Sequence, residues 1–168
     1  MCFAVNCPRR VTIISIVAAM GFKYYGFGAE PARIAHDISF AASHFLLNQL
    51  PELYTAFERH ETNFPVQYIG ANVPQAWAAG SGFMLTQALL GFLPDAPRNK
   101  LYVDPSLPVW LSDLTMRDLR VGKHKLDIRF WREGEETAFE VITGDPKLVE
   151  RCELASKIAQ LRTASDPI

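Results

Sequence analysis

The chain has 168 residues, 49% of them hydrophobic and 21% charged, with a formal net charge of -1. That length supports one domain or two small ones. A near-neutral balance without clustered Lys and Arg excludes electrostatic binding to a phosphate backbone, so nucleic acid is not an expected partner.

The charge is spread unevenly. Before Asp95 stand five basic residues (Arg9, Arg10, Lys23, Arg33, Arg59) and five acidic ones (Glu30, Asp37, Glu52, Glu58, Glu61), and the other 25 of the 35 charged residues follow Pro94. A half so poor in charge has its segments deep in a core or facing more protein. The second half can solvate itself.

Residues 1–10 carry no periodic pattern and read as an unstructured leader, broken by Asn6-Cys7-Pro8. Ile13, Ile16, Val17, Met20 and Tyr24 follow helical spacing over Thr12 to Tyr25, with Gly26 as the stop. Pro31 suits the first turn of a second helix. Its stripe of Ile34, Ile38, Ala41, Ala42, Phe45 and Gln49, with Phe40 and Leu47 on another face, predicts a helix covered on more than one side. His36 and His44 lie eight residues apart on it, and the spacing is read as two polar-face or hydrogen-bonded histidines rather than a ligand pair.

The stretch from Asn48 to Gly82 draws the chemical interest. Leu50-Pro51-Glu52-Leu53-Tyr54 ends the helical pattern and places one carboxylate among aromatic and amide side chains. More than 20 residues then run to Pro74 with Pro65 and Gly70 among them, and connections of that length usually serve a site or hold local structure. By itself Glu52 also fits a loop carboxylate paired with Arg59 or capping a turn. Glu58 and Glu61 belong to the charged run Glu58-Arg59-His60-Glu61, which reads as a solvated turn. Pro74-Gln75-Ala76-Trp77-Ala78-Ala79-Gly80 opens a further helix, interrupted at Ser81 and Gly82 and ended by Leu93-Pro94-Asp95-Ala96-Pro97. Trp77 fits core packing and a sugar platform equally, while Asp37 and Asp104 are read as structural.

From Lys100 the period changes to two. Leu101-Tyr102-Val103 is a short strand, Leu114 to Met116 and Leu119 to Val121 are extended, and Leu126-Asp127-Ile128-Arg129-Phe130 alternates strictly. Glu133-Gly134-Glu135 closes a hairpin onto Thr137 to Val141, which makes an antiparallel β region over 99–145 with one wet face. Lys147 to Arg162 reads as a terminal amphipathic helix through Leu148, Cys152, Ala155 and Ala159, followed by a polar tail.

Cys2, Cys7 and Cys152 match no zinc spacing, so neither a metal nor a cofactor is expected. They read as reduced thiols of a cytoplasmic protein, with pairing of Cys2 or Cys7 to Cys152 left open. Val11 to Phe22 and Ala76 to Leu93 are apolar enough to imitate membrane segments. The first lacks a small-residue cleavage site, and Ser81, Thr86, Gln87 and three glycines interrupt the second, so no membrane partner is expected.

The order apolar helix, helix, Leu50 to Tyr54 loop, Pro74 to Gly80 helix, Leu107-Pro108-Val109-Trp110-Leu111 and β meander resembles one enzyme family. It is similar to the carboxyl-terminal part of the bacterial amylo-alpha-1,6-glucosidases, which are glycogen-debranching-like and related to mannosylglycerate hydrolase-type glycoside hydrolases. The resemblance runs from about Ser15 to Thr143 and is most specific at Leu50 to Tyr54, Pro65-Val66-Gln67-Tyr68 and Pro74 to Gly80.

That resemblance implies a mainly α chain. Residues 11–98 would be the last helices of a partial (α/α)6 barrel, followed by a small antiparallel β meander as an appendage. It also implies an inverting reaction on an oligosaccharide or polysaccharide, with α-glucosidic, 1,6-linked or related bonds as targets. The two carboxyl groups would stand roughly 6.5–9.5 Å apart across the glycosidic bond. Glu52 falls at the position of the general base, with Gln67, Tyr68, Gln75 and Trp77 beside it to bind hydroxyls or stack on a ring. The acid partner would lie upstream. Where the family tends to carry a Trp-x-His-Asp-Asn type sequence, this chain has Thr12-Ile13-Ile14-Ser15, the kind of junction a shifted frame or truncated gene produces. The missing upstream part of the barrel is then an expected partner, and the chain alone is expected to be inactive.

Overall fold

The computed structural model describes residues 10–55, 65–73 and 75–165. A two-residue strand β1 (Arg10–Val11) leads into α1 (Thr12–Tyr24), and α2 (Ala29–Ala42) follows. Leu46–Asn48 make a 3-10 turn before β2 (Leu53–Tyr54), which pairs antiparallel with β1. After the loop come α3 (Ala76–Ala79), a single turn, and α4 (Ser81–Leu90). Strands β3 (Leu93–Asp95), β4 (Lys100–Val103), β5 (Asp113–Val121), β6 (His124–Glu133), β7 (Glu136–Thr143) and β8 (Val149–Arg151) then precede α5 (Leu154–Ser165).

Helices α1, α2 and α4 close around Ile16, Ala19, Met20, Ile34, Ala35, Ile38, Leu85, Ala88 and Leu89. The alanines let the helix backbones approach, which suits helix pairs with small residues at the contact. Among the described residues, no helix is long and apolar enough to cross a membrane.

Beside the β1-β2 pair, the described strands form two three-stranded sheets. One is the meander β5-β6-β7, and the other is mixed, with β4 between antiparallel β3 and parallel β8. Leu126, Ile128 and Phe130 of β6 are fully buried on one face while Lys125 and Arg129 point to water, as a period of two dictates for a sheet with one covered face. With Leu90, Phe92, Leu101, Val103, Leu107 and Val121 they make a second core. The chain passes from one core to the other at Gly91, which ends α4 in the left-handed region at φ 60°. A Cβ there would stand 2.6 Å from the Asp104 carbonyl oxygen, so the crossing needs glycine for its conformation and for its space.

This architecture corrects the expected one. The chain is not mainly α with a β appendage, and the described residues form no partial (α/α)6 barrel: two three-stranded sheets and their own core stand beside a small helical cluster. The physical reason lies in the second half, where alternation over Asp113–Thr143 commits long strands that supply a core by themselves. Two helical expectations also shorten. The second helix ends at Ala42, because Leu47 and Asn48 both take positive φ and Gln49 is extended, so Phe45 and Gln49 leave the stripe. The terminal helix starts at Leu154 rather than Lys147, since Val149–Arg151 pair with Leu101–Val103 instead.

One buried polar group ties the two cores. Lys23, 4% exposed at the end of α1, places Nζ 3.2 Å from Asp104 Oδ2 and donates to Ser106 Oγ at 3.2 Å. Asp104 Oδ2 also accepts the Leu154 N–H that opens α5, and Lys157 lies 4.0 Å over the Tyr102 ring. Desolvation pushes the Lys23 ammonium below its ordinary value, with Asp104 opposing the shift. The contacts of Asp104 are structural in kind.

Candidate functional site

Residues 50–55 and 65–73 build a small rim from short backbone ladders. Buried Pro51 anchors the segment, and the Glu52 N–H donates to the Asn72 carbonyl at 3.2 Å. Asn72 Nδ2 returns a bond to Glu52 Oε2 at 3.3 Å, so backbone and side chain clip the two ends of the loop together. Beyond Glu52, the Leu53 carbonyl accepts from the Tyr68 N–H and the Thr55 N–H donates to Val66, with Tyr54 opposite Gln67. The chain between Thr55 and Pro65 lies outside the described residues, and the charged run from Glu58 to Glu61, with the possible Arg59 partner of Glu52, lies there too.

Glu52, Gln67 and Tyr68 are therefore brought to one strand pair. Glu52 is half-buried, while Tyr68 is exposed and can present its ring face. Gln67 is partly committed: its Nε2 donates to the Ala71 carbonyl at 2.7 Å and closes the turn at Gly70. Gln75 and Trp77 stand apart on α3. The Gln75 side chain accepts from the Ala76 N–H and caps the turn, and Trp77 is 47% exposed, which removes it from the core that would otherwise explain it. Asn72 is the residue that sequence reading missed. It sits 20 positions from Glu52 in a stretch without periodicity, and only the loop's closure brings the two together.

The remaining candidates have local roles. His36 stands edge-on to Trp110 at 5.6 Å between ring centroids, with Asp37 3.7 Å from its Nδ1, and His44 Nδ1 meets the Phe40 carbonyl at 2.8 Å. Among the described residues no group of three or more His, Cys, Asp or Glu side chains could hold a metal. Cys152 is a free thiol pushed up by burial, and Cys2 and Cys7 lie outside the described residues. In comparison with known proteins, no family model matches the chain and no curated protein matches it significantly.

Proposed function

We propose that the chain is the carboxyl-terminal part of an inverting glycoside hydrolase acting on α-glucosidic, 1,6-linked or related bonds, with Glu52 as its general base. The observation that supports this is the clip between Glu52 and Asn72. A base must hold its carboxylate in one orientation toward a water, and a donor on Oε2 leaves Oε1 to take the proton. Tyr68 offers a ring face to a sugar from the neighbouring strand, and Gln67 offers its carbonyl oxygen. Trp77 and Gln75 would extend the contact from α3.

In such a reaction, the base draws a proton from water as that water attacks the anomeric carbon. An acid on the opposite side protonates the departing oxygen. The acid comes from polypeptide that covers the charge-poor helical half, where Leu46, Leu47, Ile69 and Phe83 stand 80–92% exposed. Absence of an acid lowers the rate by about 10²–10⁴, so the chain alone hydrolyses little. Its setting is the cytoplasm, in keeping with the free Cys152.

The test is complementation. The chain is co-expressed with the polypeptide encoded immediately upstream, and glucose release from isomaltose and panose is measured. Activity that falls at least about 10²-fold in Glu52→Gln supports the proposal, and unchanged activity in that variant removes Glu52 as base. A second reading, a non-catalytic carbohydrate- or partner-binding module, draws on the exposed apolar helices. Affinity for malto-oligosaccharides untouched by Glu52→Gln, with no hydrolysis on complementation, would favour it.

A further inference from the structure

Strand β5 (Asp113–Val121) is an edge of its sheet and pairs with β6 alone among the described residues. The phase of that pairing is fixed by the Arg132 N–H, which donates to the Ser112 carbonyl at 2.9 Å. Backbone direction alternates along a strand, so Ser112, Leu114 and Met116 turn toward β6 while the N–H and C=O groups of Asp113 and Thr115 turn outward. Those outward groups have no partner among the described residues. A register shift between Met116 and Leu119, with Asp118 at φ 55°, ends this flat edge. Beside the edge opens a cavity of about 590 Å³, lined by Leu114, Met116 and Leu119 of β5, by Phe83 of α4 and by Phe92. No residue of β6 or β7 lines it, which puts it on the outer side of β5. The carboxylates of β5 are committed, Asp113 to Arg129 at 2.6 Å and Asp118 to Lys125 at 2.8 Å. Arg117 and Arg120 are exposed and hold no salt bridge among the described residues.

We propose that β5 takes up an extended segment of a partner polypeptide as an added strand, with apolar and acidic residues alternating along it. Main-chain bonds to Asp113 and Thr115 supply affinity, as in recognition by strand addition, and the cavity supplies specificity. Leu114 and Met116 share one face of the sheet, so partner side chains on that face enter the apolar cavity. Side chains on the other face stand beside Arg117, where a carboxylate finds an unpaired cation. A second copy of β5 is a poor occupant, because two such edges bring like-charged arginines to one seam with no free carboxylate on either strand. The surface is independent of the hydrolase proposal, since no residue of the Glu52 rim lines the cavity.

The experiment is isothermal titration of the full chain with an acetylated, amidated heptapeptide that alternates glutamate and valine. Two further peptides are controls: the same sequence N-methylated throughout, and one with lysine in place of glutamate. The glutamate peptide binds saturably, and N-methylation and charge reversal each weaken it at least about 10-fold. Thr115→Pro abolishes binding by removing the outward N–H, and it keeps the ladder to β6, as proline does on the solvent side of an edge strand. Phe83→Ser, on the facing wall of the cavity, weakens binding at least about 10-fold and guards against a Thr115 variant that fails to fold. No binding of the glutamate peptide overturns the proposal, as does equal affinity for the N-methylated or the lysine form. A wild-type dimer in sedimentation velocity that Thr115→Pro dissociates overturns it too, giving the edge to a second copy.

Discussion

The helical half and the β half bury apolar side chains by different means. In the β half, long strands alternate, so Leu126, Ile128 and Phe130 vanish from the surface while charged neighbours cover the outside. In the helical half the core is small and alanine-rich, and Leu46, Leu47, Ile69 and Phe83 remain in water with few charges around them. One half covers its core with charged strand faces, and the other leaves large apolar side chains in water. Poverty of charge before Asp95 therefore goes with uncovered apolar surface rather than with depth in a core.

Phe130→Ala should cost about 3–5 kcal/mol, because the ring is fully buried against Phe92 and Phe139, and urea unfolding measures it. Leu85→Ala should cost about 2 kcal/mol, the low end for such a truncation, since Leu85 already borders a cavity. A larger loss at Leu85 than at Phe130 would reverse the ranking of the two cores.

The tie between the halves comes next. Asp104→Asn should cost about 1–2 kcal/mol, short of the roughly 3–5 kcal/mol for breaking a fully buried pair, because Asp104 keeps 31% of its side chain exposed. Lys23 also gives a signed pH effect. Its pKa is lowered on folding, so the folded chain releases the proton before the unfolded one does. Stability attributable to Lys23 therefore rises with pH in the window just below the ordinary lysine value, and Lys23→Met flattens that rise. Urea midpoints of the two proteins at about pH 8 and about pH 10 show the difference. A wild-type contribution that falls over that window would contradict the burial-dominated shift.

The smallest change in stability belongs to the exposed apolar surface. Phe83→Ser and Leu46→Ser should each alter unfolding by no more than about 0.5 kcal/mol. Both should lower concentration-dependent self-association in sedimentation velocity, since Phe83 is 82% and Leu46 83% exposed. A large stability loss in either would mean that the helical half buries these side chains after all.

The β hairpin was legible because Leu126 to Phe130 and Thr137 to Val141 alternate and Gly134 takes positive φ at the turn. Strand β8 was not, because Leu148, Cys152 and Ala155 mimic helical spacing, and only a parallel partner 48 positions earlier, Leu101 for Val149, draws Val149–Arg151 into a sheet. β3 hid for a similar reason: Pro94 argues against a strand and is tolerated at a sheet edge. Leu47 defeated the helical stripe by adopting a conformation that its side chain disfavours. Of the site, Glu52, Gln67 and Tyr68 stood out by their motifs, whereas the backbone pairing that brings them together and the Asn72 clip are visible only in three dimensions.

The role of Glu52 is tested most directly by chemical rescue in the complemented protein. Glu52→Ala removes the carboxylate and opens room beside the attacking water, so added azide can attack the anomeric carbon without a base. The account predicts that hydrolysis of an α-glucoside falls at least about 10²-fold in this variant, that azide restores turnover, and that proton NMR finds β-glucosyl azide as product. Full hydrolysis by Glu52→Ala without azide, or lost hydrolysis that azide fails to restore, would contradict it.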